Sequence, residues 1–177
     1  MFVADSFSFR GYSQPRHLVT WTNGFDLFSR RLRIQTMVDY RGGHLWYNNT
    51  ERIRCVSRQN CNGLQSSGAS FEEQAMVVAT RNHPSASLDG FLQKGDFARF
   101  REASIQYSLS PALSQRLFKS RAVSFLFTGR NLARWTEYRG VDPENDYQVT
   151  TGADAAGGDF QGIGLPTYYV FRVNINR

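Results

Sequence analysis

The feature that most constrains this chain is a two-residue period of apolar and polar side chains, repeated in several separate segments. In Leu32-Arg33-Ile34-Gln35-Thr36-Met37-Val38-Asp39-Tyr40, Leu32, Ile34, Val38 and Tyr40 share one parity and Arg33, Gln35 and Asp39 the other. A run of this kind is a strand with one apolar and one polar face. Val19, Trp21, Phe25 and Leu27 oppose Thr20, Thr22 and Asp26, which predicts a strand from His17 to Leu27. Asn23-Gly24 inside it is a two-residue hairpin signal. A bulge or kink at Gly24, with the turn at Phe28 to Arg31, leaves flanking strands of better matched length. Further strands are expected over Phe97 to Leu109, where Ala103, Ile105, Tyr107 and Leu109 alternate with Glu102, Ser104, Gln106 and Ser108, and over Arg121 to Trp135. In the last segment Tyr169, Phe171, Val173 and Ile175 oppose Arg172, Asn174 and Asn176.

Between the strands the period is lost. Residues 1 to 16 read as an irregular segment, and 42–95 and 136–165 as long polar connections. Ser70-Phe71-Glu72-Glu73 is a capping box, which predicts one short helix over 71–81. Ser110-Pro111 predicts a brief helical turn through Leu117-Phe118. The fold class that follows is all-β, an antiparallel up-and-down meander of about five strands with a short helix in one long connection.

Composition narrows the setting. With 41% hydrophobic and 14% aromatic residues but a mean hydropathy of −0.46, the apolar bulk is carried by rings diluted with polar neighbours. No segment approaches the roughly 18 apolar residues of a spanning helix. Spanning strands need only about 9 to 11 residues each and escape hydropathy averaging. The segment Met1-Phe2-Val3-Ala4-Asp5 lacks the basic and apolar parts of an export signal, so an exported protein of this sequence is expected to have further sequence upstream.

The net charge of +6 permits nucleic-acid binding, but the arginines are scattered, so no nucleic-acid partner is expected. His17, His44 and His83 lie in different segments, and no nucleophile elbow, carboxylate pair or phosphate loop is present; neither an enzyme nor a cofactor is expected. Asp142-Pro143-Glu144-Asn145-Asp146 lacks calcium-loop spacing and reads as a turn. Cys55 and Cys61 have no nearby histidine to complete a zinc site, so a loop disulfide in an oxidising compartment is the better reading and no metal is expected.

The connections alternate in length, about four residues, then about 56, about eleven and about thirty, as in outer-membrane barrels, where long loops lie outside and short turns inside. Tyr40, Trp46, Tyr47, Phe97, Trp135, Tyr168 and Tyr169 fall near strand ends, where an interfacial girdle places aromatic rings. Lumen parity falls to Arg33, Gln35, Asp39, Glu102, Gln106 and Arg172, while Trp46 and Tyr47 are loop aromatics able to stack on a sugar. The competing architecture is a secreted carbohydrate-binding β-sandwich.

Three segments resemble the SusC/RagA-type TonB-dependent transporters. Val38-Asp39-Tyr40-Arg41-Gly42-Gly43-His44-Leu45-Trp46-Tyr47-Asn48 is similar to that family's strand leading into an extracellular loop, and Asp96-Phe97-Ala98-Arg99-Phe100-Arg101-Glu102-Ala103-Ser104-Ile105-Gln106-Tyr107 to its D-F-x-R-L-R-x-x-x-L-x-Y strand. The most specific is Gly129-Arg130-Asn131-Leu132-Ala133-Arg134-Trp135-Thr136-Glu137-Tyr138-Arg139-Gly140-Val141-Asp142-Pro143-Glu144, which resembles G-x-N-L-x-x-W-T-x-Y-x-G-x-D-P-E. The resemblance implies the C-terminal part of a 22-stranded barrel in the outer membrane of a Gram-negative bacterium, with 42–95 and 136–165 as extracellular loops. It also implies import of glycan- or peptide-type nutrients, contact with the TonB complex through an N-terminal part missing from this chain, a SusD-like surface lipoprotein as partner, and outer-membrane lipid around the strands. The family's usual final aromatic is replaced by Arg177.

Overall fold

A computed structural model describes residues 8–82, 89–145 and 158–177. The elements run β1 (His17–Leu27), β2 (Leu32–Gly42), β3 (Leu45–Asn48), α1 (Asn49–Val56), α2 (Asn62–Gln65), α3 (Phe71–Asn82), a 3-10 turn (Asp89–Phe91), β4 (Leu92–Lys94), β5 (Phe97–Ser108), α4 (Pro111–Phe118), β6 (Ala122–Thr136), β7 (Gly158–Asp159) and β8 (Tyr168–Asn176). They divide into two compact units. One comprises Met1–His17, Arg41–Phe97 and Thr136–Gly164; the other comprises Leu18–Tyr40, Ala98–Trp135 and Leu165–Arg177.

The second unit is built on a five-stranded antiparallel sheet in the order β1-β2-β5-β6-β8. The sheet is open, with β1 and β8 as edges. β1 passes through Asn23-Gly24 without turning, and the chain reverses at Phe28–Arg30, where three successive non-glycine residues have φ of 53°, 57° and 65°. Arg31 N donates to Phe28 O at 3.2 Å and closes this turn. The other short connection is α4, whose start is fixed by Ser110 Oγ accepting from Leu113 N. Lys119, at a φ of 48°, ends that helix and turns the chain into β6.

The register of β6 against β8 shows what the alternation does. Val123, Phe125, Phe127 and Gly129 stand opposite Ile175, Val173, Phe171 and Tyr169, while Ser124, Leu126 and Arg130 stand opposite Asn174, Arg172 and Tyr168. On the first face the rings stack diagonally, Phe125 on Phe171 at 6.3 Å and Phe127 on Tyr169 at 5.9 Å, the reach expected of diagonal neighbours across an antiparallel pair. Phe125 is half-buried with Phe118 edge-on to it at 6.3 Å, but the rings it neighbours on this face are exposed. Phe127, Tyr169, Phe171, Val173 and Ile175 are exposed, as are Val19, Trp21, Phe25 and Leu27 on β1. Among the described residues, nine of the ten buried apolar residues belong to the other unit, and Val123 is the exception.

That other unit is where sequence period gave the least guidance. The segment expected to be polar with one helix folds into three helices, two short strands and a 3-10 turn. α3 spans Phe71–Asn82, and its capping box is reciprocal: Ser70 Oγ accepts from Glu73 N at 3.2 Å and Ser70 N donates to Glu73 Oε2 at 3.3 Å. α1 carries a weaker sequence signal because its cap, Asn48 accepting from Glu51 N at 3.0 Å, lacks the reciprocal carboxylate. Tyr47, Cys55, Cys61, Val77 and Phe91 form a small core, with Leu64 and Leu92 packed against it. β3 lies between β4 and β7, antiparallel to the first and parallel to the second.

The β1–β2 turn holds non-glycine residues in the left-handed region, where a Cβ costs about 1–2 kcal/mol per residue. Ser29→Gly should therefore stabilise the chain by about 1 kcal/mol, read as a higher midpoint in thermal loss of β-sheet circular dichroism, whereas Ser29→Val should lower that midpoint.

Candidate functional site

Two groups of polar side chains stand out, one in each unit. In the sheet, Asp39 of β2 accepts from Thr20 Oγ1 of β1 at 2.8 Å and from Arg101 Nε of β5 at 2.7 Å. Arg33 pairs with Asp26 at 3.2 Å, and Arg130 of β6 donates to Glu102 of β5 at 2.8 Å and to Tyr168 of β8 at 3.4 Å. Asn174 donates to Ser124 at 3.4 Å. Polar pairs thus tie together all five strands, and the half-buried Asp39 is matched by Arg101, as an ion withdrawn from water requires.

Of the residues picked by parity, Arg33, Asp39 and Glu102 each stand in an ion pair. Arg172 lies opposite Leu126, on the same face as Ser124 and Arg130. Gln35 and Gln106 are half-buried on β2 and β5. Parity missed Arg101, which shares the numbering of Ala103, Ile105 and Tyr107 yet binds Asp39; its immediate neighbour Glu102 binds Arg130. The signal that could have found Arg101 was the need of an inward Asp39 for a cation on an adjacent strand.

The second group centres on Asp159, whose side chain is fully buried. Thr50 Oγ1 donates to its Oδ1 at 3.3 Å, and Tyr138 Oη and Val141 N donate to its Oδ2 at 3.3 Å each. Burial, reinforced by the Asp159 carboxylate, pushes the Tyr138 phenol far above its ordinary range, so it remains a proton donor. Asp142, also buried, accepts from Glu144 N at 3.0 Å, and Glu144 pairs with Arg41 at 3.6 Å. The Asp142–Asn145 part of the acidic run is thus a turn closed on its own first side chain, while Asp146 lies outside the described residues, as do His83 and residues 1–7.

Cys55 and Cys61 are joined by a disulfide with Cα atoms 4.9 Å apart. With Glu51 they form a group compact enough to hold a metal, but sulfurs bonded to each other are not thiolate ligands. Trp46 and Tyr47 do not stand on an open loop. Both are buried on β3, at 4% and 7% exposure, so neither offers a ring face to solvent for stacking. His44 is buried beside them, edge-on to Trp46 at 6.0 Å. Its burial lowers the imidazole pKa, opposed by Asp96 and assisted by Arg41. A cavity of about 620 Å³ is lined by Leu45, Phe71, Met76 and Leu92, with Arg10 and Glu72 at its wall.

No protein-family model matches the sequence, and no curated protein matches it. Solved structures do. The RagAB peptide importer in the closed-closed state matches with a TM-score of 0.50 and 16% identity, over 79% of this chain and 16% of that chain. The same importer in the open-open state gives 0.49 and 18%, over 84% and 16%, and the RagAB peptide transporter 0.48 and 18%, over 82% and 16%. The chain therefore spans about a sixth of the length of the chains it matches. The likeness is one of fold.

The segment Gly129 to Glu144 can now be read physically. A Cβ at Gly129 would come within 2.8 Å of Leu132 and 3.1 Å of the Tyr169 ring. Asn131 adopts a φ of 53° inside β6; its Nδ2 donates to Pro166 O at 3.1 Å and its carbonyl accepts from Thr167 Oγ1 at 2.7 Å. Thr136 Oγ1 donates to Asp96 O at 2.8 Å and accepts from Tyr138 N at 3.0 Å. Tyr138 reaches Asp159, and its ring lies where a Cβ of Gly140 would stand.

Two outcomes follow. Asp39→Ala strips Arg101, whose side chain is 16% exposed, of its carboxylate, and should cost about 3 kcal/mol in unfolding free energy, more than the about 1 kcal/mol expected for Asp26→Ala at an exposed pair. Because the folded pKa of His44 is depressed, its contribution is fully present above the unfolded value of about 6.5 and is lost as pH falls below it. Unfolding midpoints should therefore drop between pH 7 and 5, and His44→Gln should flatten that drop.

Proposed function

We propose that this chain forms part of the wall of a SusC/RagA-type, TonB-dependent outer-membrane β-barrel that imports glycan- or peptide-type nutrients into a Gram-negative cell. The observation that carries the reading is the sheet's uncovered apolar face. A β-sandwich buries such a face against a second sheet about 10 Å away, yet Val19, Trp21, Phe25, Phe127, Phe171 and Val173 are all exposed. Hydrocarbon is the medium in which a row of this kind is stable, and an antiparallel sheet in a bilayer must pair both its edges. The open edges at β1 and β8 support further strands on each side.

Connection lengths support the same orientation. The Phe28–Arg31 turn and α4 are short and would face the periplasm, while Arg41–Phe97 and Thr136–Gly164 would be extracellular. Arg33, Gln35, Asp39, Glu102, Gln106 and Arg172 would then face the lumen, joined there by Arg130, which pairs with Glu102. The fold likeness to RagAB, a peptide importer by its description, agrees with this reading, which extends to a SusD-like lipoprotein at the cell surface and to TonB acting through the rest of the protein.

The three tryptophans test it. Trp21 and Trp135 are 57% and 58% exposed, whereas Trp46 is 4% exposed. In vesicles carrying brominated acyl chains, fluorescence of a Trp46→Phe chain should be strongly quenched, and that of the Trp21→Phe, Trp135→Phe chain should not. A chain that stays soluble without detergent and shows no quenching would instead favour the secreted sandwich.

A further inference from the structure

Two stretches far apart in sequence, Arg41–Phe97 and Thr136–Gly164, fold into one unit. The contacts that join them differ in strength. Lys94–Glu137 links side chains 69% and 77% exposed, and Arg139 of the Arg139–Glu73 pair is 76% exposed; such pairs contribute little. Thr136 Oγ1 also donates to Asp96 O and Glu144 pairs with Arg41, but the most deeply buried contacts converge on one side chain. Asp159 brings β7 against β3, where Tyr47 and Asn48 pair in parallel with Gly158 and Asp159. Its two carboxylate oxygens are then divided: Oδ1 accepts from Thr50 of the earlier stretch and Oδ2 from Tyr138 and Val141 of the later one. Thr50 Oγ1 in turn accepts from Gln161 N at 2.8 Å.

We propose that Asp159 is a latch that makes the two stretches a single cooperative body, so that neither opens without the other. The physical ground is the cost of leaving a fully buried carboxylate short of donors. If the earlier stretch withdraws, Oδ1 loses Thr50; if the later one withdraws, Asp159 leaves its pocket and Thr50 loses both its partners. α1 carries Thr50 at one end and Cys55 at the other, and the Cys55–Cys61 disulfide ties that helix into the core, so movement at Thr50 is passed to the whole earlier stretch. Coupling of this kind is reciprocal: a molecule that binds and steadies one stretch steadies the other by the same factor. The inference stands whether or not the sheet is a barrel wall.

Amide hydrogen exchange on the whole chain tests the latch. Ser57 N, bonded to Ile53 O, reports on the earlier stretch; Asn145 N, bonded to Asp142 O, on the later; Ser114 N, bonded to Ser110 O in α4, on the other unit. Thr50→Val and Tyr138→Phe each remove one hydroxyl. Each should raise exchange at both Ser57 and Asn145 by about tenfold, the effect of one lost buried hydrogen bond, and leave Ser114 unchanged. Asp159→Asn should raise both together as well. A rise confined to the stretch that carries the substitution would overturn the proposal, as would no change at either amide.

Discussion

The structure depends on one constraint: the sheet carries an apolar face whose large side chains on β1 and β8 are exposed among the described residues. β1 and β8 are exposed along almost their whole length. An ordinary domain places its largest side chains in a core, but in the sheet-bearing unit Val123 is the one buried apolar residue among those described. Within such a sheet, stability comes from ladder hydrogen bonds, diagonal ring stacks and cross-strand ion pairs.

That displacement of the core explains the division of labour between the units. The strands are regular because the inner ones, β2, β5 and β6, pair on both sides and every second side chain lies on the apolar face. The long connections carry no such burden, and the conventional core is found there: Tyr47, Val77 and Phe91 around a buried disulfide. A cluster that small would be marginal alone. The disulfide limits the unfolded alternatives of its segment, and Asp159 adds a stretch distant in sequence.

The sheet was legible because period two is a strong signal wherever one face differs from the other. β1 and β2 begin where alternation begins, and matched strand length favours the Phe28–Arg31 turn over Asn23-Gly24. The polar face was half legible. Parity found Asp39 and Glu102 but not Arg101, since partner choice across strands depends on register, which alternation does not carry. The connections were least legible. A capping box revealed α3, but β3, β4 and α1 are held by contacts from outside their own segments, such as Arg139 N donating to Gln93 Oε1 and Gly158 pairing with Tyr47. Trp46 and Tyr47 stand in a polar stretch, and it is tertiary packing that buries them.

The most distinctive run of the sequence, Gly129 to Glu144, proves to be occupied with itself. Gly129 and Gly140 make room for tyrosine rings, Asn131 turns the backbone and holds Pro166, and Tyr138 and Val141 satisfy Asp159. Asp142 closes its own turn and Glu144 holds Arg41. The run therefore specifies how a strand hands over to its long connection.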